Sequence, residues 1–251
     1  MPVFAGARTA VLAAISHGTN YPAGQDAVKG LVEQTVIKAA GSESVTDIQL
    51  GHVDVQQPDP ESVLSGYAPK EPAVLVPLLL SAGFHVNVDL RKAAEAAGAG
   101  RPVVVAGALG PDARLVDALE QRLSESGADP ATDVFILGAA GSSNAGAVQD
   151  VKTTADMLAE RLGCPVQDSY LSFAQPTVHD AVSAARAANP DKRVVIASYL
   201  LAPGYFQNMM TRQGADISTG PLLDVVGGNA DVPPGLPDIV LDRFHQGLAR
   251  L

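Results

Sequence analysis

Cysteine is nearly absent from this sequence, which has only Cys164 among its 251 residues. One cysteine cannot form an intramolecular disulfide or supply the three or four thiolates that hold an iron–sulfur cluster, so a reducing environment is indicated. Long hydrophobic runs are missing as well. The apolar segment AVLAAIS after Arg8 runs straight into His17 and Gly18, which favours a buried first strand over a signal peptide. We therefore expect a cytoplasmic protein without a membrane span.

Positive charge is scarce. The chain has 17 lysine and arginine residues against 27 aspartate and glutamate residues, which gives a formal net charge of −10. Nucleic acid and anionic membranes need a basic protein surface, so neither is expected as the main partner. An anionic small molecule would need a local group of cations.

The motifs of several common enzyme classes are also missing. No Walker motif, GxGxxG, GxSxG or HExxH occurs, so nucleotide binding and the common hydrolase chemistries have no support. The glycine-rich segment GAAGSSNAG at 138–146 is interpreted as a tight turn between a strand and its helix. Phosphate binding by its backbone N–H groups is the weaker alternative.

What the sequence does contain is a regular alternation of two patterns. Short runs of β-branched and aliphatic residues alternate with alanine-rich stretches of helical spacing, separated by glycine or proline. This alternation predicts an α/β fold with parallel sheets flanked by helices. The predicted strands are 10–15, 46–53, 73–79, 103–106, 134–138, 166–171, 194–199 and 217–220. The predicted helices are 26–40, 60–65, 86–97, 112–126, 147–162, 177–188, 205–213 and 238–251.

The second half of the chain repeats the first. The segment PLLLSAGFHVNVDL around Gly83 is similar to SYLLAPGYFQNMM around Gly204, and the apolar run before Gly18 is similar to the run before Gly141. We therefore predict two tandem domains, 1–127 and 128–251, in close contact. In open parallel sheets the ligand lies beyond the carboxyl ends of the strands, so the cleft between the domains is the expected site.

Three polar residues at the predicted strand ends of the first half are missing from the second. They are His17, Asp54 and His85, whose counterparts are Ala140, Ser172 and Phe206. A duplicated scaffold keeps in both copies what folding requires, so a feature kept in one copy favours chemistry over packing. Imidazole and carboxylate bind iron, cobalt, nickel or zinc with open coordination positions, and imidazole also accepts protons near pH 7. We predict a catalytic first domain and a degenerate second one.

The remaining histidines carry weaker predictions. His52 lies two residues before Asp54 on the same strand, where it either supports that carboxylate or is an ordinary strand-end residue. His179 and His245 fall in helical patterns and are interpreted as solvent-facing or capping residues.

Several segments together resemble a known family. HGTNYPAG follows the first predicted strand, HVDVQQPDPES spans the end of the second, VPLLLSAGFHVNVDL follows the third, and DIVLDRFHQGL closes the chain. These segments are similar to the class II chelatases of the sirohydrochlorin chelatase type, in the long form with two fused domains. The sequence departs from the family at Asn20, Tyr21 and Pro22, where Arg-Asp-Pro is common, and it lacks the histidine- or cysteine-rich tail of some relatives.

The resemblance implies a reaction and roles for three residues. Fe²⁺ or Co²⁺ enters the sirohydrochlorin macrocycle for sirohaem or cobalamin biosynthesis, two pyrrole protons leave, and no nucleotide or cofactor beyond the substrate metal ion is needed. His17 and His85 would be the catalytic, metal-binding pair, with Asp54 as the assisting acid at the metal. The predicted walls for the flat ring are Leu78, Leu79, Leu80, Phe84, Leu200, Leu201 and Tyr205. Candidate cations for the eight ring carboxylates are Lys70, Arg91, Lys92 and Arg212.

Three alternatives stay open at this level. A protein that carries a tetrapyrrole or a divalent metal without turnover would keep the same ligands. Imidazole and carboxylate do not discriminate among iron, cobalt and nickel. A two-lobed receptor for small solutes is disfavoured because the sequence shows neither a hinge nor an export signal. One chain with both halves of a cleft favours a monomer.

Overall fold

The computed structural model describes residues 8–81, 84–97 and 100–251, without the side chains of 84–89 and 97. Strands and helices alternate in the first half as the apolar runs and alanine-rich stretches predict. Its elements are β1 (Ala10–Ser16), α1 (Pro22–Ala39), β2 (Val45–His52), α2 (Pro60–Ser65), β3 (Ala73–Pro77), α3 (Phe84–Ala97), β4 (Val103–Val105) and α4 (Ala113–Glu125).

The second half follows the same order and then extends it. Its elements are β5 (Val134–Ala139), α5 (Ala145–Leu162), β6 (Val166–Tyr170), α6 (Val178–Ala188), β7 (Val194–Tyr199), α7 (Tyr205–Met210), β8 (Ile217–Ser218), β9 (Asp224–Val226), β10 (Asn229–Asp231) and α8 (Gly235–Leu248). Within the described residues, no helix is long and apolar enough to cross a membrane.

Each half builds one four-stranded parallel sheet. The strand orders are β2-β1-β3-β4 and β6-β5-β7-β8, so the two sheets have the same topology. The central strands are covered on both faces: all seven residues of β1 are buried, as are all six of β7. A strand buried on both faces needs a continuous apolar run, as in AVLAAIS. The predicted α/β fold with two parallel sheets is confirmed.

The last helix, α8, packs against the sheet of the first half. Arg243 donates from Nε to the Ala108 carbonyl at 2.7 Å and from a terminal nitrogen to the Leu109 carbonyl at 2.8 Å. Gly247 lies so close to Val74 of β3 that a Cβ there would overlap the valine side chain. The chain therefore returns to its first sheet at its end.

Helix α4 of the first half makes the reciprocal contact with β7 of the second. Its buried Arg122 donates to the carbonyls of Pro221 and Leu222 at 3.0 and 2.8 Å and pairs with Asp231 at 2.7 Å. The two halves thus exchange their last helices. The division at 127/128, in the link between α4 and β5, stays a prediction.

The hairpin β9–β10 is the main element absent from the sequence-based prediction. Its two antiparallel strands are joined by Gly227 and Gly228, both at positive φ, a two-residue glycine turn that the sequence displays as VVGGNAD. The hairpin packs on α1, where Ala230 fills the space that a side chain at Gly30 would need. Helix α1 also begins earlier than predicted, at Pro22, because proline suits the first turn of a helix.

Candidate functional site

A cleft lies between the two halves at the carboxyl ends of their strands. It has two adjoining parts, a cavity of about 430 Å³ and one of about 310 Å³. Both are lined by His17, Leu78, Leu79, Leu200, Leu201 and Phe206. His17 is the only histidine among these shared lining residues of the described chain, and the other five are apolar.

The position of His17 follows from the end of β1. The strand is buried through Ser16, and the next residue is exposed at the cleft. Gly18 turns the chain at φ 93°, with its Cα so close to the Asp54 carbonyl that a Cβ would overlap the oxygen. Gln56 fixes the turn by accepting a hydrogen bond from the Thr19 amide at 2.9 Å. The imidazole is therefore carried by a constrained loop.

Asp54 lies beside His17 through the backbone. Its amide donates to the His17 carbonyl at 3.0 Å, which extends the pairing of β1 and β2 past their ends. Its carboxylate accepts a hydrogen bond from the Val55 amide at 2.7 Å and is exposed, and Asp54 is not among the described residues that line either part of the cleft. The structure thus brings the backbones of His17 and Asp54 together, while the Asp54 carboxylate accepts a hydrogen bond from its own loop.

His85 is the second residue of α3, which follows the carboxyl end of β3. Its side chain lies outside the described part of the structure. Among the described side chains, no three His, Cys, Asp or Glu residues are close enough to hold a metal ion. A site with three ligands of these residue types would therefore need a side chain outside the described part of the structure, and the joint action of His85 with His17 stays a prediction.

A buried polar pair, Ser16 and His52, lies directly beneath the loop and was not assigned from the sequence. Ser16 Oγ and His52 Nδ1 share a hydrogen bond of 2.7 Å, and burial lowers the pKa of His52, which favours the neutral imidazole. The two residues face each other in the register of β1 and β2, and Ser16 also lines the cleft. The available signal was two polar residues at the ends of neighbouring strands. Among the described contacts, His52 bonds Ser16 and not the Asp54 carboxylate, its partner in one of the two predictions.

The second half repeats the loop backbone without these side chains. The Ser172 amide donates to the Ala140 carbonyl at 3.1 Å, as Asp54 does to His17, and Gly141 adopts φ 91° against the Ser172 carbonyl. The Ser172 hydroxyl donates to that same Ala140 carbonyl at 2.8 Å. The counterpart of the polar loop therefore has a wall-forming role in this structure.

Both loops contain a strained three-residue turn. The Gln56 amide donates to the Asp54 carbonyl at 2.7 Å around Val55 at φ 67°, and the Ala174 amide donates to the Ser172 carbonyl at 2.7 Å around Phe173 at φ 61°. A turn closed by this bond at positive φ is a rare γ-turn, and for residues other than glycine such backbone strain is of order 1–3 kcal/mol.

The predicted walls are largely in place. Tyr205, with Leu78, Leu79, Leu200 and Leu201, lines the larger cavity, and Leu80 lines the smaller one. The Phe84 side chain lies outside the described residues. Tyr205 and Phe206 form an edge-to-face pair with ring centroids 5.7 Å apart.

The predicted cations do not line the cleft. Among the described residues, neither of its cavities includes a lysine or arginine. Arg91 instead lines a separate cavity along β4, and Lys70, Lys92 and Arg212 are exposed elsewhere. In the described part of the chain, the cleft walls therefore offer no lysine or arginine to pair with an anionic ligand.

The fold and the cleft define the chain as a doubled α/β protein with a cleft between two like sheets. The model of the CbiX family matches residues 11–126 and 134–218. The chain therefore belongs to the CbiX family, and the resemblance drawn from its motifs is confirmed. A comparison with curated proteins finds no significant match.

Three solved structures share the fold over nearly the whole chain. SirB from Bacillus subtilis with Fe3+ is 20% identical, with 96% of each chain covered and a TM-score of 0.78. The sirohydrochlorin chelatase SirB from Bacillus subtilis subspecies spizizenii in complex with cobalt is 16% identical, with 96% of each chain covered and a TM-score of 0.71. CbiX, described as the terminal enzyme for biosynthesis of siroheme in denitrifying bacteria, is 15% identical, with 94% of this chain and 98% of that chain covered and a TM-score of 0.64. These matches establish two tandem chelatase-like domains.

Proposed function

We propose that this chain is a nucleotide-independent sirohydrochlorin chelatase, a lyase that inserts Fe²⁺ or Co²⁺ into the macrocycle. The observation that carries the proposal is the position of His17, at the junction of two apolar cavities in a member of the CbiX family. The similar SirB structures contain Fe3+ or cobalt, which fits an imidazole site for such ions.

The cleft would act first by binding the two substrates. Apolar walls on both sides, Leu78 and Leu79 facing Leu200 and Leu201, remove the flat ring from water. We assign His17 and His85 as the residues that bind the ion at the edge of this space. Asp54 would offset the charge of the ion or orient an imidazole through Oδ2, because the hydrogen bond from Val55 occupies Oδ1 alone.

The metal transfer must balance protons. The ring starts with two pyrrole N–H groups, and the divalent ion replaces both protons as four bonds to nitrogen form. An imidazole nitrogen has one lone pair, which cannot hold a metal ion and a proton together. His17 and His85 would therefore accept protons only as the ion leaves them for the ring, and would then pass these protons to water.

The position of the ring carboxylates follows from the charge of the cleft. The chain carries a net charge of −10, and no described lysine or arginine lines either part of the cleft. Burial of an unpaired carboxylate is strongly unfavourable. We therefore propose that the conjugated core enters the cleft while the carboxylates stay at the solvated rim.

The test is a metal-insertion assay. Pure protein is incubated without oxygen with sirohydrochlorin and Fe²⁺ or Co²⁺, and the absorption of the ring is followed. We expect acceleration over the spontaneous reaction and a loss of at least about 100-fold in His17→Ala and in His85→Ala. His179→Ala, in which an exposed helical histidine is removed, is the matched control. Unchanged rates in both active-site variants would contradict the assignment.

The same assay separates the enzyme from a carrier. A carrier binds the ring and the ion without accelerating their reaction. Comparison of Fe²⁺ with Co²⁺ and Ni²⁺ in the assay identifies the metal that the protein inserts fastest. The monomeric state and the cytoplasmic location stay predictions of the sequence.

A further inference from the structure

Phe173 occupies a conformation and an environment that are both unfavourable. Its φ of 61° lies in the left-handed region, and the residue is 84% exposed, the highest value among the exposed large hydrophobic residues of the described chain. Large aromatic side chains at positive φ are genuine outliers of backbone conformation. An exposed phenyl ring also gains nothing from burial in this state.

The turn backbone belongs to the shared fold, whereas the side chain does not. Val55 has the same turn in the first half and is 48% exposed, so the strain itself follows from the duplicated loop. Glycine would relieve the strain at either position, because it adopts positive φ freely. The chain instead keeps a side chain at both positions, and the second half has an aromatic one.

Both turns face the cleft. Val55 lines the larger cavity and Phe173 the smaller, and Phe206 lines both. The Tyr205–Phe206 pair supplies further exposed aromatic surface to the larger cavity. A ligand that presents a flat apolar face to the smaller cavity would therefore cover Phe173 and Phe206 together.

We propose that Phe173 is a substrate-contact residue that stacks on the conjugated face of the tetrapyrrole and orients the ring toward His17. This inference rests on the proposed function and adds a binding residue from the degenerate half. Aromatic rings bind flat π systems in offset-stacked or edge-to-face arrangements, and the strained turn holds the phenyl ring out before the substrate arrives.

Binding of metal-free sirohydrochlorin, followed through the fluorescence of the ring, tests Phe173 apart from catalysis. We expect Phe173→Ala to raise the Kd for the ring about tenfold and to leave the Kd for Co²⁺ alone unchanged. Phe173→Tyr should keep the ring Kd within about twofold, because the aromatic face is retained. Val226→Ala, an exposed apolar residue on the β9–β10 hairpin, is the control.

Phe173→Gly separates binding from folding. It should raise the urea midpoint, because the turn is no longer strained, while it weakens ring binding as much as Phe173→Ala does. Tight ring binding that is equal in the wild type and in both truncated variants would overturn the role of Phe173 and leave the proposed function intact. Absence of ring binding and metal insertion in the wild type would instead overturn the proposed function itself.

Discussion

The loop after β2 and the loop after β6 have the same backbone and different side chains. The His52 amide donates to the Pro58 carbonyl at 2.9 Å, and the Tyr170 amide donates to the Pro176 carbonyl at 3.0 Å. Each loop then pairs with the turn after the central strand and forms a γ-turn at its tip. The geometry is therefore a requirement of the fold, and it is compatible with serine or with aspartate beside the cleft.

Several of the differences between the loops concern groups that bind ions or move protons. The first half has His17, Asp54 and the Ser16–His52 pair, where the second has Ala140, Ser172, Ala139 and Tyr170. Because the second half folds without these groups, the shared backbone of the loops does not require them. The pair of loops is thus an internal control, and substitutions that convert one into the other test the functional assignment.

The largest effect is expected at the paired glycines. Gly18→Ala and Gly141→Ala each place a Cβ against a carbonyl oxygen at positive φ, so each should lower the free energy of unfolding by about 3 kcal/mol. Urea unfolding measures both. Only Gly18→Ala should weaken Co²⁺ binding by the folded protein, because only that loop carries His17. Equal loss of Co²⁺ affinity in the two variants would mean that the halves are not functionally distinct.

A smaller effect is expected from substitution of Asp54. Asp54→Ser gives the first loop the residue of the second and should lower metal affinity or insertion rate about 10- to 100-fold, as removal of groups that support a metal site does. Ser172→Asp should leave both close to wild type, because Ala140 beside it offers no imidazole. Titration with Co²⁺ and the insertion assay provide the measurements. Wild-type affinity and rate in Asp54→Ser would remove Asp54 from the site and fit its present hydrogen bond to Val55.

A third comparison concerns the buried Ser16–His52 pair beneath the His17 loop. Ser16→Ala removes one partner of a buried hydrogen bond and leaves His52 Nδ1 without it, which should lower the free energy of unfolding by about 1–2 kcal/mol. The double variant Ser16→Ala/His52→Phe removes both polar partners and should recover part of that loss. Phenylalanine is used because Asp168, which accepts a hydrogen bond from the Tyr170 hydroxyl, is Leu50 in the first half. Urea unfolding of the single and double variants measures the coupling. Additive effects would show that the two residues do not stabilise each other.

Local patterns predicted much of the fold. The buried strand β1 ends one residue beyond its predicted end, and β7 matches its predicted bounds, because continuous apolar runs specify strands buried on both faces. The return of α8 to the first sheet was not predicted, because its contacts, such as Arg243 with Ala108, join residues far apart in sequence. The β9–β10 hairpin was missed although its glycine pair was visible.

The candidate site was predictable to the extent that the repeat is visible. Alignment of the halves identified His17 and Asp54, and the structure places both on the paired loops. The alignment did not show that the Asp54 carboxylate accepts a hydrogen bond from its own loop, because the direction of a side chain depends on the local turn. The Ser16–His52 bond depends on the register of β1 against β2, which no local pattern states. Phe173 was missed because positive φ leaves no mark on a sequence when glycine is absent.

The smallest effect is expected at the amino end of the second sheet, away from the cleft. A substitution there should change stability without changing metal insertion. Asp133 lies just before β5, and its buried carboxylate accepts two hydrogen bonds from Arg193, at 2.7 and 2.9 Å, and one from the Asp129 amide. The Arg193 guanidinium holds the pKa of Asp133 below its usual value. Asp133→Asn should lower the free energy of unfolding by about 1 kcal/mol at pH 7 and leave metal insertion unchanged.

The difference in stability between wild type and Asp133→Asn should depend on pH, and the direction of that dependence follows from the depressed pKa of Asp133. A carboxyl group with a depressed pKa in the folded state stabilises the protein fully above the unfolded value, about 3.9. That contribution is lost as the pH falls through the folded pKa, because the folded carboxylate is then protonated as well. The urea midpoints of wild type and Asp133→Asn should therefore differ at pH 7 and converge below about pH 3.9, with the exposed Asp191→Asn as a control. A gap that persists in acid would assign the effect to packing, because charge on the carboxyl group would then contribute nothing.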